Sequence, residues 1–198
     1  MNLKFLKKGQ LPILIFMIIS LLFFTIIYLK RQNYEFIIYI GVIIFFFLLI
    51  LYTNNKINYN LASLWGLSIW SLMHMSGGYF TIGNTRLYEI IIINMSKTYP
   101  IFKYDQLVHI IGFCVATLIL YDILKPLLIP NLNKNISLSI IIVMAGLGIG
   151  ALNEIIEFFA VVILPKTGVG GYINTSLDLV SDLIGSLLAL IIIKIQKK

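Results

Sequence analysis

Three pairs of side chains in this sequence are spaced for chemistry. Glu154 and Glu157 stand three residues apart inside an apolar run, Asp105 and His109 stand four apart, and Asp178 and Asp182 stand four apart. Spacings of three and four put both members on one helical face, where they can share a partner, a proton or a cation. A charged side chain at the centre of a membrane helix costs on the order of 2.5–3.5 kcal/mol on insertion scales, so an acid in such a run is a functional candidate first. Five carboxylates cannot all be ionised in a low-dielectric pocket with two imidazoles and Arg86 to offset them. Either some hold protons or a cation sits among them. Mixed carboxylate and imidazole donors on facing helices suit a divalent metal ion. The candidate ligands are Asp105, His109, Glu154, Glu157, Asp178 and Asp182, and the candidate acid–base groups are His109, Glu154 and Glu157. The competing account is a hydrogen-bonded network that ties helices together. For Asp105 alone, a plain helix N-cap competes as well.

These residues need helices to carry them. Apolar runs at about 11–29, 35–52, 61–75, 105–124, 136–164 and 175–195 predict an all-α, polytopic membrane bundle of six transmembrane helices, forming a single domain over 1–198. The first two runs hold no interior charge and read as lipid-facing scaffold. The third repeats Ser68, Ser71 and His74 at helical spacing, a polar stripe typical of helix–helix contacts in membranes. In the fifth, Gly146 and Gly150 make a small-residue face for close packing, and Gly185 does the same in the sixth. The string Gly146–Leu147–Gly148–Ile149–Gly150 is not a phosphate loop, because it lacks the lysine and the preceding strand.

Six crossings also fix sidedness. His74 ends an odd helix, Asp105 and His109 begin the next, Glu154 and Glu157 come late in the fifth, and Asp178 and Asp182 come early in the sixth. All seven therefore lie towards one membrane face, and they include five of the eight acids and both histidines of the chain. The connection 76–103 is long for a compact bundle, and its apolar centre Leu87–Met95 is too short to span. An interfacial or re-entrant segment, acting as a lid over the acidic mouth, is the expectation. It brings Arg86 to the site. With His74, Tyr172 and Asn174, Arg86 makes up the candidate substrate-binding set.

Composition sets the class. The 198 residues are 60% hydrophobic and 12% charged, against about 45–50% and about 25% for soluble domains. The formal charge of +7 is scattered over loops and ends, without the basic face or aromatic platform of a nucleic-acid binder. Anionic membrane lipid is the better partner for it. Cys114 is the single cysteine, which excludes an internal disulfide and a CxxC metal site. The run from Leu11 is too long for a signal peptide and lacks a small-x-small cleavage site, so it reads as a retained first helix. With the first helix entering from inside, Lys4, Lys7, Lys8, Lys56, Lys125, Lys134, Lys194, Lys197 and Lys198 fall on the inner side. Lys30, Arg31, Arg86, Lys97, Lys103 and Lys166 fall on the outer side. Nine against six places both termini in the cytoplasm and the acidic mouth outside the cell membrane.

The ordered set Tyr104–Asp105–x3–His109, Asn153–Glu154–x2–Glu157 and Asn174–Thr175–x2–Asp178–x3–Asp182–x2–Gly185 resembles the YjdF-like multi-pass membrane proteins and, more loosely, the VanZ-like proteins. The likeness covers about residues 74–190. It departs from the YjdF-like pattern at Val108, Phe158 and Asn174, where that pattern has glycine, tryptophan and aspartate. The resemblance implies a small helical bacterial or archaeal membrane protein of unsettled biochemistry. The link of the VanZ-like group with glycopeptide resistance points to the cell envelope.

Three functions fit these residues. One is metal-assisted hydrolysis or transfer on a lipid or lipid-linked envelope substrate, with a glutamate taking a proton from water and His109 as ligand or acid. Another is a non-catalytic factor that binds a lipid headgroup or a partner protein. The third is a proton- or cation-coupled transporter, against which stand the absence of an inverted repeat and the position of the acids near one face. Substrate, metal identity and oligomeric state are not written in the sequence.

Overall fold

A computed structural model describes residues 6–128 and 136–196. Lys4, Lys134, Lys197 and Lys198, all in the inner count above, lie outside the described residues.

Long stretches of aliphatic and aromatic residues with few breakers make six α-helices among the described residues: α1 Leu11–Lys30, α2 Tyr34–Thr53, α3 Leu61–Tyr79, α4 Tyr104–Leu124, α5 Ile136–Ile163 and α6 Tyr172–Ile195. Helix starts are marked by local chemistry. Pro12 sits in the first turn of α1, the Asn33 side chain accepts from Phe36 N, and the Asn60 side chain accepts from Ala62 N. Five of the six, all but α3, are long and apolar enough to cross a membrane. The polar stripe of α3 is what sets it apart: Ser63, Ser68, Ser71 and His74 are all buried in it.

The helices pack with their ends alternating. At one end Gln10 and Asn54 exchange two amide hydrogen bonds, at 3.0 and 2.7 Å, and Asn60 N donates to Asp122 at 2.9 Å. At the other end the Tyr28 hydroxyl donates to the Met75 carbonyl, and the Arg31 guanidinium lies over the Tyr79 ring. The late part of α5 and the early parts of α4 and α6 come to this second end. The α4–α6 pair makes the most extensive contact of the bundle. It is close because of Gly185: a Cβ there would run into the Ile110 carbonyl oxygen of α4. Gly150 of α5 does the same beside Asp182, and Gly146 beside Thr117 and Ser186. Any larger residue would push these helices apart.

Three details differ from the sequence reading. α3 runs through Gly77 and Gly78 to Tyr79 instead of stopping near Met75. These glycines admit rings, because a Cβ at Gly78 would strike Phe36 and one at Gly77 would strike Tyr88. α6 begins one turn early, at Tyr172, so Asn174 lies inside its first turn. Residues 80–103 form no helix over Leu87–Met95. They make a hairpin of β1 Thr81–Ile82 and β2 Thr85–Arg86, then a single 3-10 turn at Leu87–Glu89. After it the chain is extended and pairs Ile91 with Lys103, and Ile92 N donates to the Phe102 carbonyl. A run of β-branched isoleucines, Ile90–Ile93, favours that extended form over a helix.

Candidate functional site

The α4–α6 contact buries an acid–imidazole cluster towards one end of the bundle. His109 Nδ1 lies 2.8 Å from Asp182 Oδ1 and 4.0 Å from Glu154 Oε1, and His109 Nε2 lies 3.9 Å from Asp105 Oδ1. His109, Glu154, Asp178 and Asp182 are buried, Asp178 and Asp182 fully. Two sets of donor atoms come within 4.8 Å of one another: Asp105, His109 and Asp178, and His109, Glu154 and Asp182. His109 belongs to both. Two donors each about 2.1 Å from one ion stand at most about 4.2 Å apart, so small side-chain rotations would close either set on a cation.

Amides hold the carboxylates in place. Gln106 accepts from Lys103 N at 2.8 Å and, with its Nε2, donates to Asp178 Oδ1 at 2.9 Å. It thus closes the first turn of α4, where Lys103 is the capping position. That frees Asp105 from capping. Asp105 instead accepts from Asn174 Nδ2 at 3.2 Å, and the same amide reaches Asp178 Oδ2. Asn153 Nδ2 donates to Glu157 Oε1 at 3.0 Å and lies 3.5 Å from Glu154 Oε1. Among the described residues four buried side-chain oxygens have no hydrogen-bond partner: Glu154 Oε2 and Asp182 Oδ2 in this cluster, and the Tyr39 and Ser71 hydroxyls outside it. Buried polar atoms are paired in the great majority of cases, so two orphans in one cluster stand out, Asp182 Oδ2 packed against Gly150.

Outside the cluster lies a polar cavity of about 140 Å³. Asp105, Glu157 and Asn174 line it, with His74, Arg86, Lys103, Glu35 and Glu89 among the other polar residues of its wall. Glu35, in the first turn of α2 and not its interior, gives that helix a part in the site beyond lipid-facing scaffold. It is buried at the start of α2 and accepts from Gly168 N at 2.6 Å, tying the α5–α6 turn to the cavity. An acid just after a helix cap looks, in sequence, like ordinary N-terminal decoration. Tyr88 is the other residue that the sequence reading misses. Its hydroxyl donates to the His74 carbonyl at 2.9 Å and touches His74 Nδ1. Burial, reinforced by the Asp105 and Glu157 carboxylates, raises the Tyr88 phenol well above its usual value, so it stays protonated.

The structure therefore brings Asp105, His109, Glu154, Asp178 and Asp182 together, with Glu157 one turn further out on the cavity wall. His74 and Arg86 line the same cavity, and Asn174 bridges it to the cluster. Tyr172 stands apart, 87% exposed at the tip of α6.

Residues 11–198 match a family described as predicted membrane protein, DUF2238, and the chain belongs to it. No curated protein and no solved structure matches the chain.

Proposed function

We propose that this DUF2238 member binds a divalent cation among His109, Glu154, Asp182, Asp105 and Asp178, and uses it to hydrolyse or transfer a group on a lipid or lipid-linked envelope substrate. The observation that carries this reading is the pair of buried, unpartnered oxygens, Glu154 Oε2 and Asp182 Oδ2, beside the shared imidazole. A purely structural network would be expected to pair its own atoms. Carboxylates with one imidazole suit a hard or borderline ion such as Mg²⁺, Mn²⁺ or Zn²⁺. Such an ion would polarise a substrate oxygen and lower the pKa of water. The chain's own residues supply the rest. Asp182 fixes the His109 ring, and the Asn174 and Gln106 amides orient Asp105 and Asp178. Glu157 faces the polar cavity and is placed to take a proton from water at Oε2, with Asn153 holding Oε1.

In this reading α3 is a sixth crossing, both termini are cytoplasmic, and the cavity opens outward from the cell membrane. A non-catalytic binding factor would use the same cavity without turnover. Transport is less well supported, since the acids gather at one end of the bundle rather than its middle.

The test is elemental analysis of purified protein, with melting measured in Mn²⁺, in Zn²⁺ and in chelator for the native chain and Glu154→Gln. At a free ion concentration about 100 times Kd, binding stabilises the native fold by about 2.7 kcal/mol, and Glu154→Gln should lose most of that. Equal melting in every condition, with no ion found, ends the metal reading.

A further inference from the structure

A second cavity, of about 360 Å³, lies between α2, α4 and α5, with α3 at its back. Its walls are hydrocarbon and aromatic: Phe46 and Ile50 from α2, Ala116 and Leu120 from α4, and Trp70 from α3. The volume falls in the range that holds a small ligand. Along α4 it reaches from Gly112 to Ile123, about 16 Å of helix at about 1.5 Å per residue. It runs lengthwise along the bundle and opens at its side, where the lining residues Leu49, Ile123 and Leu152 are exposed.

This cavity shares two walls with the polar one. Asn153 lines the apolar cavity while its amide donates to Glu157, which lines the polar cavity. Trp70 lines the apolar cavity and stacks on the ring of His74, which lines the polar one, with centroids 5.5 Å apart. Each partition is one side-chain pair thick. The polar cavity also carries cations. Arg86 and Lys103 both line it alongside the carboxylates Glu35, Glu89, Asp105 and Glu157; among the described residues neither cation forms a salt bridge with a carboxylate, although Glu35 lies near Arg86. A guanidinium and an ammonium that face one cavity are the chemistry that receives a phosphate.

We propose that one amphiphile occupies both cavities: a phosphate ester of a long hydrocarbon chain, its tail between α2, α4 and α5 and its phosphate against Arg86 and Lys103. The apolar cavity complements only the tail, the two cations complement only the head, and the Asn153 and Trp70 partitions place the ester junction beside Glu157. The inference rests on the proposed function for what happens to that ester, but not for its binding. A free hydrocarbon would gain nothing from Arg86 and Lys103, and free phosphate would gain nothing from the apolar cavity. A second copy of the chain seated over the exposed rim residues Leu49, Ile123 and Leu152 would leave Arg86 and Lys103 unused.

The probe is hexadecyl phosphate with a diazirine at mid-chain, photolysed with the purified full chain in detergent and mapped by mass spectrometry. Adducts should concentrate on Phe46, Ile50, Ala116 and Leu120. Excess unlabelled hexadecyl phosphate should displace the probe, whereas hexadecanol or inorganic phosphate at the same concentration should not. Arg86→Gln with Lys103→Gln should weaken labelling about tenfold or more, since a hydrogen bond to a charged group contributes about 1.5–3 kcal/mol. Ala116→Trp should fill the tail cavity and move the adducts elsewhere. Should that variant fold poorly, the map on native protein and its competition still decide. Adducts spread over outward-facing Phe23 and Val162, displaced equally by hexadecanol, would mean bulk lipid contact and overturn the proposal. Displacement by inorganic phosphate alone would reduce the site to a head-group site and overturn it too. The metal reading fails separately: specific labelling in a protein that binds no ion leaves the amphiphile standing, and an ion-binding protein without specific labelling removes it.

Discussion

His109 Nδ1 and Asp182 Oδ1 meet at 2.8 Å across the α4–α6 contact, although 73 residues separate them in the chain. The bond orients the imidazole so that Nε2 faces Asp105, 3.9 Å away. A carboxylate that holds a histidine in this way fixes its tautomer and its readiness to bind a cation. Asp182→Asn keeps the shape and removes the charge. In chelator the variant should melt at or above the native temperature, because one of several crowded buried charges has gone. With Mn²⁺ or Zn²⁺ it should gain much less stability than the native chain. Lower melting in chelator together with full metal stabilisation would show that Asp182 only holds helices together.

Gln106 provides a test of positioning, separate from ligation. Its amide joins the first turn of α4 to Asp178. Gln106→Leu leaves every candidate ligand in place but removes one of the two amides that hold Asp178, leaving Asn174 alone on it. Loss of a supporting partner of this kind typically costs 10–100-fold in metal affinity. A titration followed by melting should show that drop, with saturating metal restoring the native plateau. No restoration at any concentration would make Gln106 a structural residue.

Topology has its own check. Thr85 sits in the exposed β1–β2 hairpin and Asn55 in the exposed α2–α3 turn, at opposite ends of α3. In a Cys114→Ser background, a cysteine at position 85 should react with an impermeant thiol reagent in intact cells, and one at position 55 should react only after lysis. Reaction at both sites in intact cells would remove α3 as a crossing.

The acid pairs are readable from sequence because helix periodicity alone puts Asp105 with His109 and Asp178 with Asp182, and counting helices puts both pairs at one end. Nothing so local reveals Glu35. It reaches the site only because the Gly168 turn folds back over α2, a contact between positions 133 residues apart. Gln106 is hidden for a different reason. Its role as a cap is local, but its hold on Asp178 depends on how closely α4 and α6 approach. The stretch 87–95 misleads because apolarity is shared by helix and extended chain, and the β-branched isoleucines decide between them. The end of α3 past Met75 is hidden because Gly77 and Gly78 matter only through the Tyr88 and Phe36 rings that they admit.

The glycines of α5 and α6 give the sharpest test of the packing that builds the site. Gly185 has backbone against it: a Cβ would meet the Ile110 carbonyl oxygen, and Cys114 N stands 2.9 Å away. Backbone inside a helix cannot step aside as a side chain can, so Gly185→Ala must separate α4 from α6. Overpacking of this kind costs about 1–3 kcal/mol. It should also lengthen the His109–Asp182 contact, so metal affinity falls with stability. Gly148 is the control on a neighbouring helix, where an added methyl would meet nothing within 4 Å. There alanine carries only its better helix propensity, worth up to about 1 kcal/mol in a helix interior. Gly148→Ala should therefore match or exceed native stability and leave metal stabilisation intact. Melting of the two variants in metal and in chelator checks both expectations at once. Equal, small effects at the two positions would mean that α4 and α6 are not held at the distance on which the cluster depends.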